Sequence, residues 1–436
     1  MWHVTKIIPV NSFTFDTYLV DENRSIITFT YKVEFKFGIT KTFTDKLYFK
    51  EITPEMWKSV PATVLEPTLQ ALLLIIGINY WSAFRTNNIK IKNFSLTQEQ
   101  AKFWDSLYLQ GLSEFFYIMK IDFRNLIAFP YDITTQVSQP SNYKRPARTL
   151  LLNGAGKDSI VSAELLKLAG VSFDFFTFSP TPAHFRIAKL VNAKTVSVTR
   201  KRDLLLNIIL VGTYPSVTTY TFISLLLAEL LGYNTIITSN EKSADFGNTN
   251  YLGLDVNHQW CKSTQAEEMI NHYIKTYITK DITTSSLLRK YSELEIVQKF
   301  VNYPQYFNSV TSCNSYFWLP SLQQKLMKSN YWCGSCPKCI FLFACFASFL
   351  PKQEVIKIFG ANLFTKKKLL PVIERILGVK GFKPLDCVGE PEEMIFAMHL
   401  VRTTNEYSQD DAILLFNTYF SLDYNFDTIK SKVFTQ

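Results

Sequence analysis

The sequence of 436 residues predicts an α/β protein whose sheet is doubly wound and mostly parallel. Two observations support this fold class. From Thr149 onward, short apolar runs typical of buried strands alternate with runs typical of helices, as a sheet covered on both faces requires. The first apolar run, Leu150–Leu152, leads directly into a turn of small residues and then into a helix. A chain of 436 residues is long enough for two or three domains, and its 47% of hydrophobic residues can supply their cores.

The first part of the chain, residues 1–145, predicts a separate α+β domain that contributes to a substrate site. Over Ile27–Phe37, apolar residues alternate strictly with polar ones, which indicates an antiparallel strand with one exposed face. The run Pro67–Trp81 is apolar on nearly all sides and predicts a buried helix. Ser95–Gln98 predicts a helix start with a capping box, and we expect that helix to continue towards Tyr117.

A polar segment rich in helix breakers, Gln136–Arg148, marks the start of a second predicted domain, residues 146–310. Ligands of open α/β sheets lie at the carboxyl ends of strands, so we expect Ser239, Asn240 and Glu241 to share a rim with the turn after Leu152. The expected elements after that turn are helix Ile160–Leu168, strand Val171–Phe178, helix Ala183–Val191, strand Thr195–Val198, helix Val217–Leu231 and strand Thr235–Ser239.

The turn after the first strand, Gly154-Ala155-Gly156-Lys157-Asp158-Ser159, has the chemistry of a phosphate site. Backbone N–H groups of its small residues can converge on an anion at the positive end of a helix. Lys157 adds a cation, Ser159 a hydroxyl donor and Asp158 a carboxylate suited to Mg²⁺. If Ala155 needs a positive φ, the loop is strained by roughly 1–2 kcal/mol. An ordinary glycine-containing turn is the alternative.

Four of the seven cysteines are spaced as a metal site in the third predicted part, residues 311–436, which is otherwise helical. Thiolates this close together suit a tetrahedral Zn²⁺, which would be structural because four protein ligands leave no open position. Buried free thiols and a redox or iron–sulfur role are the alternatives. The four residues are Cys313, Cys333, Cys336 and Cys339.

The net charge of +9 favours a polyanionic partner such as a nucleotide, a nucleotide sugar or RNA. A basic stripe with interleaved aromatics is absent from the sequence, so nucleic acid is not the expected partner. The apolar runs Ala71–Tyr80 and Ile340–Leu350 are shorter than the roughly 20 residues that span a bilayer. The start of the chain lacks the pattern of a secretory signal. We therefore expect a cytoplasmic protein without a membrane span; the oligomeric state stays open.

The loop Gly154–Ser159 is similar to the Ser-Gly-Gly-x-Asp-Ser loop of the PP-loop ATP pyrophosphatases, with Gly154 in place of Ser and Ala155 in place of Gly. The resemblance implies an adenine nucleotide α-hydrolase-like domain that cleaves ATP between the α- and β-phosphates. Further stretches, in the same order along the chain, resemble the bacterial UDP-N-acetylmuramoyl-L-alanyl-L-glutamate epimerases. They are Gly111–Tyr117, Gly156–Ser159, Ser239–Ala244, Val256–Gln259, Trp332–Cys339 and Cys387–Glu390.

This resemblance implies an enzyme that converts the terminal L-glutamate of UDP-MurNAc-L-Ala-L-Glu to D-glutamate in peptidoglycan precursor synthesis. It implies ATP and Mg²⁺ as requirements, a carboxyl-adenylate, and AMP and pyrophosphate as products. Two other ATP pyrophosphatase classes are alternatives, a 7-cyano-7-deazaguanine synthase-like enzyme and a tRNA-modifying enzyme. A zinc-containing nucleotide-binding protein without catalytic activity is a third.

The acid and base of such a reaction have several candidates. His258 is the first, because an imidazole transfers protons near neutral pH, and Cys387 is the second. Glu241 could act as a base or hold Mg²⁺, and Lys262 could bind a substrate carboxylate or a phosphate. A structural role is the alternative for each of them. Three further residues are expected at the nucleotide or its phosphates: Asn257, Lys338 and Glu390.

Overall fold

The computed structural model describes residues 9–36, 38–136, 140, 145–209, 214–317, 319, 323–324 and 331–434, with the backbone alone at 207–209. The first residues of the chain, Phe37 of the predicted first strand, and Ser138, Ser141 and Asn142 of the predicted linker lie outside this part.

Nine strands of the described part form one mixed sheet. They are β1 (Val10–Asp21), β2 (Ile26–Phe35), β3 (Thr40–Phe49), β4 (Ile89–Ile91), β5 (Thr149–Leu152), β6 (Phe173–Phe178), β7 (Thr195–Lys201), β8 (Thr235–Thr238) and β11 (Thr283–Ser286). Their order is β11-β8-β5-β6-β7-β3-β2-β1-β4. The strands from β11 to β7 are parallel, whereas β7, β3, β2 and β1 pair antiparallel. A separate hairpin consists of β9 (Thr249–Tyr251) and β10 (Leu254–Val256).

The helices follow the strands along the whole described chain and dominate its end. In the first part they are α1 (Pro54–Ser59), α2 (Ala62–Ala83), α3 (Gln98–Gly111) and α4 (Ser113–Met119). The middle part has α5 (Lys157–Leu168), α6 (Pro182–Val191), α7 (Leu204–Ile209), α8 (Ser216–Leu231), α9 (Thr264–Tyr277) and α10 (Glu293–Phe300). The last part has α11 (Asn314–Phe317), α12 (Pro337–Ala347), α13 (Lys352–Phe359), α14 (Leu370–Ile376), α15 (Pro391–Thr403), α16 (Asp411–Tyr419) and α17 (Phe426–Val433).

Two apolar cores cover the two faces of the parallel part of the sheet, as the predicted fold class requires. One core joins α5 and α6 to the helices of the last part, and the other joins α2, α3, α8 and α9 to the antiparallel strands. Helix α2 lies close to the sheet at Gly77, where an added Cβ would be 2.4 Å from the ring of Phe15. By length and composition α2 could cross a membrane, but 67% of its most apolar stretch is buried inside the protein.

The α/β class, the mostly parallel part of the sheet and the helical last part are confirmed. Several boundaries differ from the predictions. The capping box at the start of α3 uses Thr97 and Gln100 rather than Ser95 and Gln98, and the predicted single helix is interrupted at Leu112. Helix α5 begins at Lys157, before the predicted start at Ile160, and Lys157 is buried in its first turn. Six strands of the described part were not predicted: β1, β3, β4, β9, β10 and β11.

The sheet continues across the first predicted domain boundary. Strand β3 pairs antiparallel with β7, with Phe49 opposite Val198, so residues on either side of position 145 share one sheet. A shared sheet does not decide whether the parts fold independently. The boundaries 1–145, 146–310 and 311–436 therefore stay predictions.

Candidate active site

A large cavity lies where the strand order reverses. In the sheet, β5 lies between β6 and β8. Helix α5, which follows β5, and helix α8, which precedes β8, pack in the two different apolar cores and so lie on opposite faces of the sheet. Ligands of open α/β sheets bind at such a crevice. The cavity has a volume of about 610 Å³, large enough for a nucleotide. Thr238, Ser239 and Asn240 line it together with the loop after β5, which confirms the predicted rim, whereas Glu241 does not line it.

The loop after β5 is tightly constrained. Ala155 has φ of +57°, the left-handed conformation considered above, and its N–H donates to Asn153 Oδ1 at 2.8 Å. An added Cβ at Gly156 would lie 2.9 Å from Ser312 Oγ, whereas one at Gly154 would meet nothing within 4 Å. The Ser159 hydroxyl donates to the Gly156 carbonyl at 3.0 Å, a hydrogen bond that stays within the turn. A side chain at Gly156 would thus require the Ser312 hydroxyl to move, whereas Gly154 has room for the serine of related loops.

Lys157, predicted to offer a cation to phosphate, lies behind the loop instead. Its ammonium is buried and paired with Asp158 and Glu293. The second oxygen of Glu293 accepts from Lys338 Nζ at 2.8 Å. Although burial raises the pKa of Glu293, these two ammonium groups hold it well below its ordinary value. Lys338 and Asp158 line the cavity and Lys157 does not, so the loop's own lysine balances buried charge.

Cys387 lies on the cavity wall with His258 behind it. Cys387 Sγ and a ring nitrogen of His258 lie within 4.8 Å of one another, and His258 Nδ1 donates to Glu114 Oε2 at 2.8 Å. The backbone N–H of His258 donates to Asn248 Oδ1 at 2.8 Å, which fixes the turn. The structure therefore brings together the first two proton-transfer candidates, His258 and Cys387, and adds a carboxylate from α4.

The other predicted polar residues divide into those on the wall and those behind it. Lys262 lines the cavity, with its Nζ 3.7 Å from a buried oxygen of Glu241. That oxygen, Oε1, has no hydrogen-bond donor within the described part of the chain. Asn257 is occupied by backbone, because its Nδ2 donates to the Ala244 carbonyl and its Oδ1 accepts from the Gln259 N–H, both at 2.8 Å.

Glu390, predicted at the nucleotide, does not line the cavity. It is the N-cap of α15, and its N–H donates to Glu393 Oε1 at 2.9 Å. Burial raises the pKa of the Glu390 carboxyl. Its position is typical of a helix cap rather than of a ligand contact.

The four cysteines predicted as a metal site converge. Their sulfur atoms all lie within 4.8 Å of one another, with Cys333 Sγ 3.7 Å from Cys339 Sγ. The turn between Cys333 and Cys336 is made by Gly334, whose φ is +60°, and Lys366 Nζ donates to its carbonyl at 3.0 Å. Four thiols with this proximity are a donor set that fits tetrahedral Zn²⁺.

Sequence reasoning missed three residues that shape the site: Glu114, Glu293 and Ser312. Glu114 belongs to the Gly111–Tyr117 stretch, which contributed to the resemblance, but sequence reasoning assigned no role to its carboxylate. Glu293 and Ser312 had no local signal, because their partners Lys157 and Gly156 are more than a hundred residues away.

Comparisons with known proteins agree along the chain. The MurL N-terminal domain matches residues 5–287 and the MurL C-terminal domain matches residues 309–421. Three curated relatives are each named UDP-N-acetyl-alpha-D-muramoyl-L-alanyl-L-glutamate epimerase. The one from Xanthomonas oryzae pv. oryzae (strain MAFF 311018) is 31% identical over 364 residues, which are 81% of this chain and 79% of the relative.

The relative from Micromonospora sp. (strain ATCC 39149 / NRRL 15099 / SCC 1413) is 30% identical over 417 residues, which cover 91% of this chain and 88% of the relative. The relative from Salinispora tropica (strain CNB-440) is 30% identical over 413 residues, which cover 90% of this chain and 85% of the relative. The match to the MurL N-terminal domain starts at residue 5 and so includes nearly all of the first predicted part, residues 1–145. The chain belongs to the MurL family of epimerases.

Proposed function

We propose that this protein is an ATP-dependent epimerase that converts the terminal L-glutamate of UDP-MurNAc-L-Ala-L-Glu to D-glutamate. The carboxylate is first adenylated, and AMP and pyrophosphate are released. One observation carries the proposal: a single cavity contains both the glycine loop after β5 and the thiol of Cys387. A nucleotide and a carbon acid can therefore be held side by side.

Adenylation solves a chemical problem of this reaction. An α-proton beside a carboxylate is very weakly acidic, because its removal places a second negative charge on the same group. The acyl-adenylate behaves as an activated ester, so a base can remove the proton and an acid can return it to the other face. Hydrolysis of the mixed anhydride then gives the D-product and AMP.

The cavity wall has suitable groups for each part of ATP. The glycine loop and the start of α5 would hold the phosphates, with the cations of Lys262 and Lys338 on the same wall. The aromatic side chains Phe176, Phe178 and Tyr220 line the same cavity and offer surfaces on which a purine can stack. The predicted phosphate contact of Asn257 is not part of this proposal, because backbone groups occupy its amide.

Metal ions have two separate places in the proposal. Asp158 would hold Mg²⁺, because its carboxylate lines the cavity with 22% of the side chain exposed. Glu241 is the less suited ligand, since it does not line the cavity. Mg²⁺ would neutralise phosphate charge, and Zn²⁺ on the four cysteines would stabilise the fold. We further propose that the protein acts in the cytoplasm, on a soluble nucleotide-sugar precursor.

The test is incubation with ATP, Mg²⁺ and UDP-MurNAc-L-Ala-L-Glu in heavy water. We expect AMP, pyrophosphate, and deuterium at the α-carbon of a product containing D-glutamate. ADP in place of AMP would contradict adenylation. AMP only with a carboxy-deazaguanine or a tRNA would move the protein to one of the rival classes. ATP binding without any turnover would indicate a binding protein.

A matched pair of variants tests the loop separately. Asp158→Asn removes the carboxylate on the cavity wall, and Asp122→Asn makes the same change in an exposed pair with Arg124. We expect Asp158→Asn to weaken Mg²⁺-dependent AMP release by at least about tenfold and Asp122→Asn to leave it unchanged.

A further inference from the structure

Three side chains from distant parts of the chain form a continuous row that ends at the cavity. Glu114 of α4 accepts from His258 Nδ1 at 2.8 Å, and His258 in turn lies beside Cys387. Cys387 lines the cavity, whereas Glu114 and His258 lie behind it. The side chains of Glu114 and His258 are only 10% and 13% exposed. The imidazole is thus held by a carboxylate on one side and faces a thiol on the other.

The surroundings favour charge on this row. Burial lowers the pKa of His258, but its interactions with Cys387 and Glu114 outweigh burial and hold that pKa well above its ordinary value. Burial raises the pKa of Cys387, yet Lys262, His258 and Lys338 together lower it. The charged and titratable groups that face Cys387 are His258, Lys262, Lys338, Asp386 and, more loosely, Cys261 and Lys383.

We propose that Cys387 is the catalytic residue that removes the α-proton of the substrate glutamate, that His258 keeps its sulfur ionised, and that Glu114 is a positioning residue for the imidazole. This inference rests on the proposed function and deepens it. It also reverses the order of the two candidates, because His258 reaches the cavity only through Cys387. Glu114 brings α4 into the site, which gives residues 1–145 a defined contribution.

The proposed proton transfer begins and ends with an ionised Cys387. The thiolate of Cys387 takes the α-proton, so a C–H bond breaks and an S–H bond forms. The electron pair stays on the activated substrate as an enolate, which faces the ammonium of Lys262 on the same cavity wall. Water gives a proton to the opposite face of the carbon, and the hydroxide that remains takes the proton of the Cys387 thiol, which restores the thiolate and the water. No oxidant or reductant takes part.

A purely structural role for the row makes a different prediction. If Glu114 only ties α4 to the turn at His258, its loss would lower stability and leave the reactivity of Cys387 unchanged. The proposal instead links Glu114 to the thiolate. At pH 7 a thiol with the ordinary pKa of 9.0 is only about 1% ionised, so losing the carboxylate should suppress thiolate chemistry.

The experiment measures alkylation of Cys387 by iodoacetamide across pH in the full-length, metal-replete protein, with the peptide that contains Cys387 quantified by mass spectrometry. The variants are Glu114→Gln, which keeps the shape and removes the charge, and Glu99→Gln, the same change at an exposed glutamate of α3. We expect the wild-type midpoint to lie below 9.0. In Glu114→Gln the midpoint should rise and the rate at pH 7 should fall by about tenfold or more. Glu99→Gln should match the wild type.

Turnover separates this inference from the proposed function. In Glu114→Gln we expect kcat for α-deuterium incorporation to fall by at least about tenfold, with KM for ATP unchanged and AMP still released. Cys387→Ser should lose deuterium incorporation but keep AMP release. If the wild type releases no AMP, the proposed function fails, whatever Cys387 does. If it epimerises while Glu114→Gln alkylates like the wild type, the row is structural. Should Glu114→Gln not fold, a wild-type midpoint at 9.0 or above overturns the proposal by itself.

Discussion

The contact between Gly156 and Ser312 gives a double-mutant test of the phosphate loop. Gly156 has φ of −96°, which alanine also adopts, so backbone strain does not explain the glycine. What opposes a methyl group is Ser312 Oγ, 2.9 Å from the added Cβ, while Ser312 Cβ lies at an ordinary 3.9 Å. Ser312 Oγ is buried without a hydrogen-bond partner in the described part of the chain, and Ser312 lines the cavity.

The magnitudes follow from these distances. In Gly156→Ala the hydroxyl must rotate away, which costs about 0.5–1.5 kcal/mol of stability. If this hydroxyl donates to a phosphate oxygen of ATP, its displacement weakens ATP binding by about 1.5–3 kcal/mol, or roughly 10- to 150-fold. Ser312→Ala removes the same donor without a clash. The double variant should therefore recover the lost stability and bind ATP no worse than either single variant.

Isothermal titration with Mg-ATP gives the affinities, and urea unfolding gives the stabilities. The expected signature is strong non-additivity, since each change removes the same hydrogen bond. If the losses of affinity in the single variants add up in the double variant, the two residues act independently and the contact has been misinterpreted. A double variant as unstable as Gly156→Ala would equally contradict the steric explanation.

Three further predictions concern buried charge and metal. Burial raises the pKa of Glu229 to about 8, so its contribution to stability declines as pH rises from about 4.5 towards 8. Glu229→Gln should remove this decline in urea unfolding, and at pH 9 its free energy of unfolding should exceed that of the wild type by up to about 5 kcal/mol. Glu293→Gln leaves the buried Lys157 with too little negative charge, so the free energy of unfolding in urea should fall by about 3–5 kcal/mol. The same change at the exposed Glu99 should lower it by only about 0–0.5 kcal/mol. Elemental analysis should find about one zinc per chain, and Cys336→Ser should lower stability by several kcal/mol without a selective loss of ATP binding in titration calorimetry.

Local sequence was sufficient for the elements and motifs whose residues are neighbours in the chain. The alternation along β2 predicted its buried side, where Ile27, Phe29 and Val33 are fully buried. The spacing of three of the cysteines placed them around one tight turn, and Gly334 in that turn has positive φ. In each case the physical cause acts over a few residues, so one window of sequence contains it.

The interior of the site could not be read in this way. The pair of Lys157 with Glu293 joins positions 136 residues apart, and the pair of His258 with Glu114 joins positions 144 residues apart. A lysine in a glycine turn is usually exposed, and here the distant carboxylate of Glu293, together with Asp158, makes its burial tolerable. The prediction that Lys157 faces phosphate failed to anticipate this because charge balance is a property of the folded chain.

The same reasoning explains why the N-terminal strands belong to this site. Strand β3 contributes Asp45, a fully buried carboxylate that binds Arg200 of β7 at 2.7 Å, and Arg200 lines the cavity. Helix α4 contributes Glu114 in the same manner, behind His258 and Cys387. Asp45 stands behind Arg200 on the cavity wall and compensates its charge, whereas Glu114 pairs with His258, which lies behind Cys387. Removing only the Asp45 carboxylate, as in Asp45→Asn, would leave Arg200 buried without its charged partner, at a cost of about 3–5 kcal/mol. Removing the Glu114 carboxylate would take away the negative charge beside His258. The antiparallel strands therefore extend the sheet, and β3 and α4 also supply the carboxylates that pair with Arg200 and His258.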